Sequence, residues 1–105
     1  MAGGIDISKE AGVSIGGGAF RTIIEQIRSE IIRSGGEAHI RKIYHGNDEA
    51  CLNFISVRDQ DQEGFNLFYR AAVAASESAA RTHPEDSNIW SELLTKLRAD
   101  PRHAA

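Results

Sequence analysis

The sequence contains a single cysteine, Cys51, and this scarcity excludes two kinds of stabilised small protein. An intramolecular disulfide needs two thiols and a cysteine-based zinc site needs several, so neither can form within the chain. We interpret Cys51 as a small buried apolar residue. The chain is expected to fold around an ordinary hydrophobic core, in a reducing compartment.

Long apolar runs are also missing. No stretch approaches the roughly 18 apolar residues that a membrane span requires. The first residues, 1–6, lack the basic-then-apolar layout of a secretory signal. These absences predict a cytoplasmic protein without membrane contacts.

Charge of one sign is not in large excess, because the net charge is −3. This value argues against a protein that binds nucleic acid phosphates regardless of sequence. Local charge is less even: residues 20–45 carry five Arg or Lys against three Glu, and residues 46–66 carry five acids against one Arg. Adjacent basic and acidic segments suit a protein partner or a second copy of the chain. Ordinary solvated charge is the alternative.

The length of 105 residues predicts one domain. We divide the chain into a Gly-rich N-terminal segment at 1–19, one α+β domain at 20–100 and a C-terminal tail at 101–105. Within the first segment, residues 5–8 and 13–15 alternate between apolar and polar, which predicts a short hairpin. A flexible leader that ends at the glycines of 16–18 is the alternative, and both remain open.

Three helices are predicted from apolar residues that recur every three or four positions. The first helix ends at Ser34-Gly35-Gly36, the second follows an acidic connector at 59–64, and the third follows a capping box at 82–85. The stripes of the three helices are Phe20, Ile23, Ile24, Ile27 and Ile31; Phe65, Phe68, Ala72, Ala75 and Ala79; and Ile89, Trp90, Leu93, Leu94 and Leu97.

The middle of the chain predicts a β-hairpin. Residues 37–45 and 50–57 are rich in β-branched and aromatic side chains, and residues 46–49 have the composition of a tight turn. Pairing His45 with Ala50 leaves both faces of the hairpin partly apolar. The predicted fold is therefore an α+β domain of order α-β-β-α-α, a central β-hairpin packed by three helices, with two short N-terminal strands as an optional addition.

A two-stranded hairpin with open edges needs a further covering element. One of its faces combines apolar side chains with His39 and Arg41, and the third helix presents a short apolar run. The residues predicted to contact a protein partner are His39, Arg41, Ile43, Leu52, Phe54 and Trp90.

Motifs for catalysis, cofactors or metals are weak. The acidic residues of 59–64 imitate the start of a calcium loop, but Arg70 stands where a bidentate Glu is needed. The glycines of 16–18 precede a helix without the Lys-Ser/Thr pair of a phosphate loop. The four histidines have no metal-ligand spacing among themselves. We therefore expect no enzyme activity, no cofactor and no metal site.

The main functional hypothesis is a small non-enzymatic protein–protein interaction module, forming a homodimer. A first alternative is nucleic-acid binding through the basic hairpin and first helix. The residues for it are Arg41, Lys42, His39 and His45 on the hairpin and Arg21, Arg28 and Arg33 on the helix. A second alternative is a small acidic inhibitor of the antitoxin or immunity type, in which Asp59, Asp61 and Glu63 meet a basic toxin site.

Overall fold

The protein was analysed as a computed structural model that describes residues 3–48 and 53–103. In chain order, the elements are β1 (Gly3–Ser8), β2 (Ala11–Ile15), α1 (Gly17–Arg33), α2 (Glu37–Ile43), α3 (His45–Asp48), β3 (Phe54–Ser56), α4 (Gln62–Thr82), a 3-10 turn (Pro84–Asp86) and α5 (Ser87–Arg98). None of the helices in these residues is both long and apolar enough to cross a membrane. The α+β class and the two short N-terminal strands of the fold prediction are confirmed.

The three strands form one sheet in the order β2-β1-β3, with β1 antiparallel to β2 and parallel to β3. Ile5 in the central strand lies opposite Val13 on one side and Ile55 on the other. Because side chains alternate along a strand, this register places the apolar residues on one face and small or polar residues on the other. We call these the inner and the outer face of the sheet. The inner face consists of Ile5, Ile7, Val13, Ile15, Ile55 and Val57, all of which are buried.

The helices complete the core. The predicted stripe of α1 and that of α4 are buried throughout, and Trp90, Leu93 and Leu97 of α5 join the same cluster. The predicted end of α1 is also confirmed, because Gly35 adopts a positive φ of 80° just after it. The helix α4 begins earlier than predicted, at Gln62 within the acidic connector, and the carboxylate of Asp61 accepts a hydrogen bond from the Gly64 N–H at its start.

The predicted position of the central hairpin is wrong. Residues 37–43 and 45–48 are helical, and only Phe54–Ser56 is a strand. The reason is that Ile40, Ile43 and Tyr44 also fit the spacing of a helix, while β3 finds its partner in β1 far away in the sequence. The predicted pairings of Ala50, Cys51 and Leu52 lie outside the described residues.

Tyr44 explains why this segment folds inward as a helix. Its side chain is fully buried, and its hydroxyl donates a hydrogen bond to the Ile24 carbonyl of α1. Burial raises the pKa of the Tyr44 phenol well above its ordinary value. The guanidinium of Arg28 lies 4.3 Å from the ring centroid, so Tyr44 is held from two directions.

The capping box predicted at 82–85 is also wrong. Thr82 is the last residue of α4, and its hydroxyl donates to the Ser78 carbonyl. His83 precedes a proline and is non-helical, with φ −139° and ψ 63°. His83 instead caps a 3-10 helix that begins at Pro84, and α5 starts after it, at Ser87.

The C-terminal segment at 101–105 was expected to be a frayed tail, but Arg102 is anchored. Its guanidinium donates to the carbonyls of Val57 and Gln60, at 2.8 Å each, and to the Ile7 carbonyl at 2.9 Å. It also pairs with the Asp100 carboxylate at 2.9 Å and lies over the ring of Phe65, 4.4 Å from its centroid. Residues near both ends of the chain are therefore tied together. The division into three segments stays a prediction.

Candidate protein-binding surface

A cleft of about 600 Å³ opens between the helices α2 and α3 on one side and β3 with its following loop on the other. We call it the α2–β3 cleft, and its lining residues are Arg41, Lys42, His45, Ser56, Asp59 and Gln60. Arg41 and Lys42 stand on consecutive positions of the last turn of α2. The basic side chains of α2 therefore face Asp59 and the neutral polar residues Ser56 and Gln60 across the cleft.

Gln60 is held in place on three sides. It is 9% exposed, and its side-chain oxygen lies 3.3 Å from the His39 Nδ1 atom. A Cβ at Gly64 would lie 2.1 Å from the same oxygen, so the glycine makes room for it. The Arg102 guanidinium donates a hydrogen bond to the Gln60 backbone carbonyl. The conformation of this part of the cleft is therefore fixed by contacts with α2, α4 and the C-terminal segment.

The outer face of the sheet adjoins the cleft. Gly4 of β1 lies between Ser14 of β2 and Phe54 of β3. The next row contains Asp6 and Ser56, whose hydroxyl donates to the Asp6 carboxylate at 3.0 Å. Because Ser56 also lines the α2–β3 cleft, the two regions are continuous. We call the cleft and the outer face of the sheet together the β3 surface.

Phe54 is the most prominent apolar group of the β3 surface. Its exposed fraction is 37%, although it sits in a strand beside the core. Part of the ring packs on Gly46 of α3, where a Cβ would lie 2.7 Å from it. This contact holds the aromatic ring in position while leaving one side of it open to solvent.

Acidic groups border the cleft at the start of α4. Asp59 lines the cleft and is exposed, as is Glu63. Asp61 between them is occupied as the cap of α4. Arg58 turns away from this group and pairs with Asp6, at 3.1 Å. Of the acids proposed from the sequence as toxin contacts, Asp59 therefore lies in the cleft, and Asp61 and Glu63 follow it in the chain at the start of α4.

The residues predicted to bind a partner divide into three sets. His39, Arg41 and Phe54 lie in or beside the β3 surface. Ile43 and Trp90 are 1% and 4% exposed, so the structure places them in the core and out of reach of a partner. Leu52 lies outside the described residues. Ser56 and Gln60 were missed, because their position depends on the pairing of β3 with β1 and on Arg102.

The polar side chains of the cleft do not have the arrangement of a nucleophilic serine site. It contains a serine, a histidine and an acid, namely Ser56, His45 and Asp59. The hydroxyl of Ser56, however, donates its proton to the Asp6 carboxylate on the outer face of the sheet. A nucleophilic serine has to direct that proton to a neighbouring base instead.

Two of the three arginines of α1, Arg28 and Arg33, lie beside acidic groups. Arg28 donates to Asp48 at 2.8 Å and lies 3.2 Å from Glu25. Arg33 lies 3.5 Å from Glu30. The pairing with Asp48 ties α1 to α3, so the first function of Arg28 is structural. This removes part of the support for the nucleic-acid alternative.

Comparison with known proteins gives the family. No protein-family model matches the chain. The immunity protein CdiI of Burkholderia pseudomallei is 30% identical to it over an alignment of 105 positions, which covers 97% of this chain and 94% of that protein. A chain in the solved structure of the CdiA-CT toxin from Burkholderia pseudomallei E479 in complex with its cognate CdiI immunity protein matches with a TM-score of 0.90 and 27% identity, over 98% of this chain and 100% of that one. Since the likeness in sequence and fold extends over nearly the whole length of both proteins, this chain belongs to the family of the CdiI immunity proteins.

Proposed function

We propose that the protein is a non-enzymatic immunity protein that neutralises a CdiA-CT-type toxin by binding to it. The observation that carries the proposal is the fold match over 98% of the chain to a structure in which a toxin and its cognate immunity protein form a complex. The chain also has the size and the mild acidity of a small inhibitor. Of the hypotheses drawn from the sequence, the immunity-type inhibitor is therefore preferred to the homodimer and to nucleic-acid binding.

The β3 surface is the part of the molecule that we assign to toxin binding. Interfaces concentrate their binding energy in a few aromatic and arginine side chains surrounded by polar groups. Phe54 and Arg41 supply such groups here, and His39 supports Gln60 behind them. Asp59 in the cleft adds the opposite charge, which favours one orientation of a charged partner.

Gly4 supports the same assignment. A glycine inside a strand weakens it, and often marks a place where another molecule approaches the backbone closely. A Cβ at Gly4 would make only an ordinary contact, 3.4 Å from the Val13 carbonyl oxygen. Packing within the described residues does not explain this glycine. Close approach of a partner to the outer face of the sheet does.

The test is a calorimetric titration of the protein with a CdiA-CT-type toxin domain encoded in the same genome. We expect a 1:1 complex with a dissociation constant that is roughly nanomolar. The E479 toxin domain is the matched non-cognate control, and we expect it to bind more weakly. Co-expression should also restore growth of cells that produce the cognate toxin domain. An absence of binding at micromolar concentrations, or growth arrest despite co-expression, would overturn the proposal.

The homodimer and the cytoplasmic location stay predictions. Sedimentation of the free protein and of the complex would measure the first of them in the same set of experiments. A 1:1 complex formed from a monomeric protein would remove the need for a second copy.

A further inference from the structure

The two edge strands of the sheet differ in how their outer backbone groups are used. The order β2-β1-β3 makes β2 and β3 the edge strands. At β2, the Gly12 carbonyl accepts a hydrogen bond from Lys96 of α5 at 2.7 Å. The pairing of β1 with β2 also shifts register between Asp6 and Ser8. A lysine and an irregular pairing are both devices that keep an edge strand from pairing with another chain, so β2 carries two of them.

The backbone of β3 directs alternate residues to opposite sides of the strand. On one side, the Asn53 carbonyl accepts a hydrogen bond from β1 at 3.0 Å, and the Val57 N–H donates one to Asp6 of β1 at 2.9 Å. With the parallel register, this alternation points the N–H and C=O groups of Phe54 and Ser56 away from β1. Within the part of the chain that the structure describes, no hydrogen bond reaches these four groups.

The α2–β3 cleft opens at this edge. Ser56 lines one wall of the cleft, and the opposite wall is formed by Arg41 and Lys42 of α2 and His45 of α3. The cleft is therefore a groove between the edge of a strand and two short helices. Its volume of about 600 Å³ has room for a short segment of another chain.

The chemistry of the edge determines what fits there. Backbone donors and acceptors at strand spacing are matched by another extended chain, which offers its own groups in the same repeat. A helix cannot match them, because it uses its backbone groups internally. An added strand would turn its far edge towards α2, where the long side chains of Arg41 and Lys42 can donate to its carbonyls.

We propose that the toxin inserts an extended segment into the α2–β3 cleft, where it pairs with β3 as a fourth strand of the sheet. This inference rests on the proposed function and names the way in which the partner binds. It assigns the backbone contacts to Phe54 and Ser56, and the exposed ring of Phe54 then lies beside the incoming strand. At the opposite edge Lys96 already occupies a carbonyl, so β3 is the edge that receives the partner.

The first experiment compares two substitutions of Ser56 by calorimetric titration with the CdiA-CT-type toxin domain encoded in the same genome. Ser56→Ala removes the hydroxyl that binds Asp6 and keeps the backbone N–H. Ser56→Pro removes both groups and places a ring in the cleft, at an edge position where a strand tolerates proline. We expect the proline variant to bind the toxin domain at least about tenfold more weakly than the alanine variant. Circular dichroism verifies that both variants are folded.

Amide exchange resolved by residue with NMR gives a second readout on the unmodified protein. In the free protein, the amides of Phe54 and Ser56 should exchange fast and those of Ile55 and Val57 slowly, since only the second pair bonds to β1. Toxin binding should slow Phe54 and Ser56 to the rates of their neighbours. A contact with the side chains alone supplies no acceptor for these two amides, so the loss of the alternation is specific to strand pairing.

The possible failures are distinguishable. If the wild-type protein does not bind the toxin domain, the proposed function and this inference are both overturned. If it binds, but the two Ser56 variants have equal affinity or the amides of Phe54 and Ser56 still exchange fast in the complex, this inference alone is overturned. Slow exchange of the two amides in the free protein, increasing with protein concentration, would assign the edge to a second copy of the chain and remove the toxin from it.

Discussion

The two faces of the three-stranded sheet differ in what they contribute. On the inner face, Ile5, Val13 and Ile55 are buried in one hydrophobic cluster with the helices. On the outer face, their sequence neighbours Gly4, Ser14 and Phe54 form a row that is partly or fully exposed, although one side of the Phe54 ring packs on Gly46 of α3. A shift of one position along a strand therefore separates a residue that stabilises the fold from one that is available to a partner.

The largest expected effect is on the inner face. Ile55→Ala should lower the free energy of unfolding by about 2–5 kcal/mol, because it removes buried methyl groups and leaves a cavity. Chemical denaturation monitored by circular dichroism measures this loss. Under conditions in which the variant is folded, its affinity for the toxin should be close to that of the wild-type protein. A much smaller loss of stability would mean that Ile55 is not in the core.

Arg102 contacts the backbone of inner-face residues and that of Gln60 in the α2–β3 cleft, so its loss should affect both stability and binding. Arg102→Ala should lower the free energy of unfolding by about 1–3 kcal/mol, since buried carbonyls lose their donors. It should also weaken toxin binding, because the Gln60 carbonyl is one of its partners. The control is Arg102→Lys, which keeps the charge but not the planar guanidinium. Its free energy of unfolding and its toxin affinity should lie between those of the wild-type protein and Arg102→Ala. Equal stability of all three proteins would show that the C-terminal segment is not anchored.

On the outer face, the expected effect is on binding and not on stability. Phe54→Ala should weaken toxin binding by about 2 kcal/mol, or roughly 30-fold, as for an aromatic residue at the centre of an interface. Its stability should change by less than about 1 kcal/mol because the ring is partly exposed. Ile32→Ala is the matched control, since Ile32 of α1 is a large apolar residue with 47% exposure outside the β3 surface. Calorimetry should show similar affinity for that control and for the wild-type protein.

The smallest expected effect is a pH dependence at the end of the chain. The hydrogen bond from Arg102 holds the pKa of the Asp100 carboxyl below its ordinary value. The stabilisation is fully present above the ordinary Asp value of about 3.9, and it is lost as the pH falls through the lower pKa of the folded state. In Asp100→Asn, the free energy of unfolding should therefore fall less steeply as the pH decreases below about 4. The same pH dependence of the free energy of unfolding in both proteins would contradict the pairing of Asp100 with Arg102.

Local periodicity was sufficient to predict the helices that build the core. The stripe of Phe65, Phe68 and Ala72 has an unambiguous helical spacing, and it is buried as predicted. The segment at 37–43 was mispredicted because Ile40 and Ile43 fit a strand and a helix equally well. Which one forms depends on β1, which pairs with β3 from a distant part of the sequence.

The candidate site could be predicted only in part for the same reason. Arg41 and Phe54 were assigned to a common partner-binding face of a hairpin, and they lie at one surface through a different arrangement, a helix beside a parallel strand. Gln60 could not be found, because its position depends on contacts with His39 and Arg102.

The most direct test of the central claim is amide hydrogen exchange of the protein alone and in complex with its cognate toxin domain. The account predicts that toxin binding slows exchange in α2, in β3 and in the loop at 57–61. Exchange on the exposed side of α1 should be unchanged. Protection confined to α1 and α4, with none at the β3 surface, would contradict the account.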